Sequence, residues 1–275
     1  MTPPFQTAEG LATLGPELVR VRGLLERRFT GWAAEIRADH MLFPPLLPVD
    51  ALESFDYFEN FPHLTVLAAP IETGQQASVQ VRDGAVSGSL LAASRFGLAS
   101  AACYNVYLHL RGSELPAARY VTTVATCYRN EDHYDGLRRL RGFSMREIVC
   151  VGAVDRARAH VSAFKPKVLD FARQIGLELD VEVATDPFFQ PEGPRAVLQK
   201  LFPVKEEFVY DGSLAIGSVN FHRNFFGERC DIRLPDGTHA SSACVAFGLE
   251  RWLAALLEVH RDIRTVLGVV EEVVG

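Results

Sequence analysis

Arg129 and Glu131 stand two residues apart at the end of an apolar, β-branched run, VTTVATCYRNE, so an extended backbone aims both to one side. Arg138, Arg139 and Arg141 follow in the connection DHYDGLRRLR. Phe143 and Glu147 then lie four apart on a returning run, GFSMREIVCVG, and again share a face. Guanidinium groups crowded together repel one another unless an anion joins them, and arginine grips phosphate or carboxylate through two parallel N–H donors. An aromatic ring, two carboxylates and such a clamp can make a nucleotide site. A solvated loop of charge accounts for the same arginines, and the residue types alone leave both readings open.

Other chemistry is bounded by what the chain contains. Its five cysteines (Cys103, Cys127, Cys150, Cys230 and Cys244) are odd in number and widely spread, which suits free thiols or metal ligands rather than a secreted disulfide framework. The net charge of −6 argues against a general nucleic-acid surface while leaving room for a local basic site. The sequence has no Walker A loop, no GxGxxG in a βαβ unit and no Ser-His-Asp arrangement. No run approaches the ~18 apolar residues of a membrane-spanning helix, and MTPPFQTAEG lacks the layout of a signal peptide. The expectation is a cytoplasmic, soluble protein with no membrane partner.

These side chains need a frame. A chain of 275 residues that is 48% hydrophobic can bury a sizeable core as one domain over 1–275. Leu18, Val21, Leu25, Phe29, Trp32 and Ile36 recur at helical steps behind Pro16. MLFPPLLP is extended and too proline-rich for a central strand. AACYNVYLHLRG reads as a strand with Cys103 near its start. RYVTTVATCYRNE and FSMREIVCVG form an antiparallel pair joined by the arginine loop. Pro166 is expected to kink or split the helical pattern VDRARAHVSAFKPKVLDFARQIG. LELDVEVA and SLAIGSVNFH are strands, ERCDIRLPDGTHASSACVAFG adds more around an Asp236-Gly237 hairpin turn, and LERWLAALLEVH closes as a helix. Consecutive strands mostly lack helical crossovers. The expected class is therefore α+β, a mostly antiparallel sheet flanked by helices.

CYRNE…GFSMRE resembles motif 2 of the class II aminoacyl-tRNA synthetases, Arg-x-Glu, a loop, then Phe-x-x-x-Glu. AFGLERW resembles motif 3, with Glu250-Arg251 at the head of a helix. FPPLLPVDALESFDYFENFP is similar to the weaker motif 1, with Pro48 as its proline. The order and spacing match over roughly residues 15 to 265, and FENFPHLT and GSVNFHRNFF point to the seryl-tRNA synthetase core. The resemblance implies the class II catalytic fold and a site for ATP and Mg²⁺. Arg129 would clamp the α-phosphate and the amino-acid carboxylate, and Glu131 would accept from the adenine amino group. Phe143 and Arg251 would sandwich the ring. Ser218 and Asn220 would line the amino-acid pocket. Ala215 stands where the synthetases carry a glutamate, which removes one metal contact to ATP.

The long tRNA-binding N-terminal arm of seryl-tRNA synthetases is not expected here. A stripped core of this kind resembles the amino acid:[carrier protein] ligases, relatives of the zinc-dependent seryl-tRNA synthetases of methanogens. Those enzymes activate a small amino acid such as glycine or alanine and load it on a carrier's phosphopantetheine thiol. Their Cys, Glu, Cys zinc set implies Cys103, Glu147 and Cys244 here, while Cys127, Cys150 and Cys230 read as core. The resemblance also implies a homodimer packed through motif 1, and no tRNA partner. A proline-bracketed helix inserted around 187–205 carries Arg195 and Lys200, which could meet an acidic carrier protein. The alternatives are a synthetase-like enzyme that still charges tRNA, or a non-catalytic paralogue.

Overall fold

Leu18, Val21, Leu25, Phe29 and Trp32 form the buried stripe of α1 (Pro16–Glu35), with Pro16 in its first turn. A computed structural model describes residues 3–72, 74 and 79–275 of the chain. A hairpin of β1 (Phe5–Ala8) and β2 (Leu11–Leu14) precedes α1. After it come β3 (Asp39–His40), β4 (Leu46–Pro48), α2 (Val49–Ser54), α3 (Tyr57–Asn60) and β5 (Leu67–Ala68). The proline-rich stretch supplies β4, an edge strand of a small sheet ordered β4-β8-β5, with β8 at Phe96–Leu98. Asp83-Gly84 turns between β6 (Val81–Arg82) and β7 (Ala85–Val86).

The segment after β8 differs from the sequence reading. Tyr104–His109 is a helix, α4, and Cys103 is its N-cap rather than part of a strand. Cys103, Val106, Tyr107 and Leu110 are all buried, and their three- and four-residue steps fit a helix packed on one side.

Among the described residues the main sheet holds seven strands in the order β11-β12-β13-β14-β10-β9-β3. They are β9 (Arg119–Tyr128), β10 (Gly142–Gly152), β11 (Leu179–Ala184), β12 (Lys205–Tyr210), β13 (Leu214–Arg223) and β14 (Ser241–Gly248), with β3 as the one parallel member. Between them lie α5 (Val154–Gln174), α6 (Pro194–Leu201) and α7 (Phe225–Arg229), and α8 (Leu249–His260) and α9 (Ile263–Val274) follow. Pro166 does not split α5, which runs unbroken across it. The proline costs that helix roughly 3 kcal/mol. Phe164, Val168 and Phe171 are buried on either side of it and keep the helix seated on the core. Glu228, Arg229 and Cys230 form the end of α7 and its cap rather than a strand. Asp236-Gly237 does turn the chain, between a single bridge at Arg233 and His239.

Strand alternation divides this sheet into two unlike faces. Ile148, Val219, Val245, Phe247 and Phe208 point to one side, where they pack with α1, α5, α8 and α9 in the largest core cluster. Arg146 shares that side. It is nearly fully buried and pairs with Glu26 of α1 at 2.5 Å, pinning helix to sheet. The residues between these point the other way, into a cleft.

Candidate active site

Antiparallel register sets the cleft floor. Glu147 lies opposite Ala246, Ala246 opposite Ser218, and Ser218 opposite Glu207. One step along, Val149 meets Cys244, Cys244 meets Asn220, and Asn220 meets Lys205. Residues directly opposite in a ladder share a face, so both rows present their side chains on the same side. This is how residues far apart in sequence reach one site.

At one end of the cleft Cys103, Glu147 and Cys244 come together, with one ligand-capable atom of each within 4.8 Å of the others. All three are buried. Glu147 Oε1 accepts from the backbone N–H groups of Ala102 and Cys103, at 2.8 and 3.1 Å. Its Oε2 is buried without a nitrogen or oxygen partner. The Cys103 thiol gains from the Cys244 sulfur beside it, yet burial and the Glu147 charge push its pKa up to about 11. Cys244 is raised further by the Cys103 thiol, burial and Glu147, and burial raises Glu147 itself. All three groups have raised pKa values, a shift that a positive charge among them would reverse. A metal ion would supply one, and the orphaned carboxylate oxygen with two soft sulfurs is a donor set that fits a dication. Asn220 donates to Cys244 Sγ at 3.4 Å and to Ser218 Oγ at 3.0 Å. His222 lies against Tyr107, Ser242 and Cys244, and burial pushes its pKa down to about 4. It is a neutral packing partner of the trio, on the same strand as Ser218 and Asn220.

At the other end Glu131, Phe143 and Arg251 border a second, smaller cavity. The guanidinium of Arg129 sits 5.0 Å from the Phe143 ring centroid and donates to Ser100 O. Arg251 donates through Nε to Arg138 O and through Nη1 to Ala215 O, both at 2.9 Å. Burial and the charge of Arg129 push its pKa down to about 10. Glu131 pairs with Arg139 at 3.2 Å. Glu250, buried at the start of α8, accepts from Ser144 N–H and so locks motif 3 to motif 2; burial raises its pKa. Arg129, Glu131 and Phe143 of the arginine-rich hairpin and Arg251 thus border one cavity. Cys127 is buried in β9 with its pKa pushed up mainly by desolvation, in keeping with a core role.

The main cleft, about 350 Å³, holds the trio and meets the smaller cavity at Arg129. Its outer wall includes Asp186, Arg195 and Leu198. Arg195 pairs with Asp56 at 2.8 Å and stacks on Phe225 at 5.0 Å. Lys200 is exposed and pairs with Glu192. Of the two residues that the sequence offers to a carrier protein, Arg195 lines the cleft, held there by Asp56. Asp186 pairs with Lys205 at 3.4 Å. Burial raises its carboxyl, but the Lys205 charge and hydrogen bonding with Gln199 outweigh that and leave the pKa below the usual range.

This fold and this arrangement of motifs define a class II aminoacyl-tRNA synthetase catalytic core. The family model of the tRNA synthetase class II core domain (G, H, P, S and T) matches residues 98–260. The chain is 34% identical over 244 residues to amino acid–[acyl-carrier-protein] ligase 2 of Bradyrhizobium diazoefficiens, covering 82% of this chain and 71% of that one. Ligase 1 of the same organism is 31% identical over 243 residues, covering 82% and 73%. The type-2 serine–tRNA ligase of Methanopyrus kandleri is 23% identical over 249 residues, covering 80% and 47%. Among solved structures, the M. kandleri SerRS in complex with A. aeolicus tRNASec aligns with a TM-score of 0.81 at 19% identity, over 97% of this chain and 57% of that one. The chain spans about half the length of these serine–tRNA ligases. It belongs to the class II synthetase core family, in the branch with the amino acid–[acyl-carrier-protein] ligases, and it is an enzyme. No described helix is long and apolar enough to cross a membrane.

Proposed function

We propose that this enzyme activates a small amino acid, glycine or alanine, with ATP and transfers it to the phosphopantetheine thiol of a carrier protein. The observation that carries the reading is the adjacency of two cavities that share the wall at Arg129, one bordered by Glu131, Phe143 and Arg251 and the other by the Cys103, Glu147, Cys244 trio. In this reading ATP lies over Phe143 with Mg²⁺ on its phosphates, and Arg129 and Arg251 grip the triphosphate. Zinc is the ion held by the trio. Three protein ligands leave a fourth position, which suits a substrate amine. Ser218 and Asn220 line the floor beneath the amino acid. The attacking carboxylate is already ionised, so adenylate formation needs no general base, and positioning with phosphate-charge stabilisation does the work.

Relatives named as carrier-protein ligases support the acceptor. In this reading a phosphopantetheine arm enters the narrow cleft while the carrier docks outside it, and the exposure of Lys200 on α6 supports a contact with an acidic domain. Arg195, being in the cleft wall, would affect both half-reactions. Exposed Leu42, Leu67 and Phe96 around the small sheet support a homodimer that covers them. The experiment is amino-acid-dependent pyrophosphate exchange across the amino acids, before and after zinc is stripped. Exchange with glycine or alanine that falls with zinc removal is expected. No exchange with any amino acid would refute the reading.

A further inference from the structure

Five residues border both cavities: Arg129, Met145, Lys205, Ser218 and Ala246. Two of the five are cations. Arg129 belongs to the arginine-rich motif; Lys205 belongs to none and opens β12. Its side chain is only 16% exposed and is held by two carboxylates at once, Asp186 at 3.4 Å and Glu207 at 2.9 Å. Asp186 lines the main cleft and Glu207 the smaller cavity, so the ammonium is tethered from both sides of the boundary between them. Sheet register places Lys205 beside Asn220, which is beside Cys244. A lysine that served only to pair surface carboxylates would have no reason to be drawn in between two cavities, where desolvating its charge is costly.

We propose that Lys205 is a catalytic residue of adenylate formation, with its remaining ammonium N–H donating to a non-bridging oxygen of the α-phosphate. The assignment rests on the adenylation reading above. In the step, one carboxylate oxygen of the amino acid forms a bond to the α-phosphorus. The bond from that phosphorus to the oxygen bridging the β-phosphate breaks, and pyrophosphate leaves with the electron pair. No proton moves. An anion attacks an anion, and negative charge gathers on the α-phosphate at the junction where Arg129 and Lys205 both stand. An ammonium has three N–H donors, so two ion pairs do not exhaust it. Asp186 and Glu207 are positioning residues that hold it at the boundary. Ala215 faces the same cavity without a carboxylate, which shifts more of the phosphate charge onto side-chain cations.

The test replaces Lys205 by Met, which keeps the length and removes the charge, and by Ala. Pyrophosphate exchange is measured with the amino acid found for the wild-type enzyme. We expect kcat to fall about 10²–10³-fold for each variant, with a smaller change in KM and a loss larger than the fall in melting temperature from the two broken ion pairs accounts for. Added ethylamine should restore part of the Ala variant's rate, a rescue that a structural role would not give. Exchange by Lys205→Met within threefold of wild type would overturn the assignment. So would a loss that no amine restores and that tracks a lowered melting temperature. Wild-type enzyme with no exchange at all would sink the adenylation reading instead, and this assignment with it.

Discussion

Replacing Arg251 by Ala separates binding of the nucleotide from integrity of the fold. Burial and the Arg129 charge push the Arg251 pKa down to about 10, so the charged form carries a penalty of roughly 3 kcal/mol in the empty cavity. A triphosphate arriving there relieves that penalty, and phosphate contacts realised in the transition state are typically worth ~3–4 kcal/mol. Loss of the guanidinium should therefore cut kcat/KM for exchange by about 10²–10³. Stability should change little. The variant leaves Arg138 O and Ala215 O without their donor, at ~1–3 kcal/mol each if they stay dry, but both residues border the cavity, where water can replace it. Removing an uncompensated buried charge offsets the remainder. Arg251→Lys should recover little activity, since an ammonium cannot serve both carbonyls and a phosphate as a planar fork does. The assay is amino-acid-dependent pyrophosphate exchange beside a thermal melt. Near-normal exchange in the Ala variant, or a loss explained by unfolding, would refute this reasoning.

Cys103→Ser should lose bound zinc and exchange activity while Cys127→Ser keeps both; elemental analysis of the two variants decides, and equal metal contents would remove Cys103 from the site. His160, buried against Ile148 O at 2.9 Å, has its pKa lowered to about 4 by burial. The unfolded chain binds its proton from about pH 6.5 downward, so the neutral histidine's contribution is whole above that pH and is lost as pH falls toward 4, up to ~3 kcal/mol. Urea unfolding at pH 7 and pH 4.5 should show the drop, and His160→Gln should flatten it; an identical pH profile in that variant would assign the loss elsewhere. Light scattering at micromolar concentration should return about twice the 30.4 kDa of one chain, and a value near 30.4 kDa would contradict the homodimer.

Much of this site could be read in advance because strand alternation is short-range. Phe143 and Glu147 share a face by spacing alone, and β10 keeps that relation; Arg129 and Glu131 lie just past the end of β9 and both border the smaller cavity. The helix at Tyr104–His109 was missed because its short apolar pattern fits a buried strand as well as one side of a helix, and six residues give little to separate them. Pro166 misled because a local penalty was outweighed by packing of the helix around it. Lys205 was invisible because Asp186 and its neighbours across the ladder are set by tertiary register, and Glu207, two residues on in the same strand, alone gives no sign of a cavity. The Arg195 ion pair spans 139 residues, and no local rule places Asp56 beside it.

The acceptor is the central claim. Labelled amino acid, ATP and enzyme should be incubated with holo-carrier protein and bulk tRNA together, and the label in each acceptor counted before and after hydroxylamine, which cleaves thioesters. The account predicts label on the holo-carrier, none on the carrier lacking phosphopantetheine, and none on tRNA. Label on tRNA with an unlabelled carrier would contradict it.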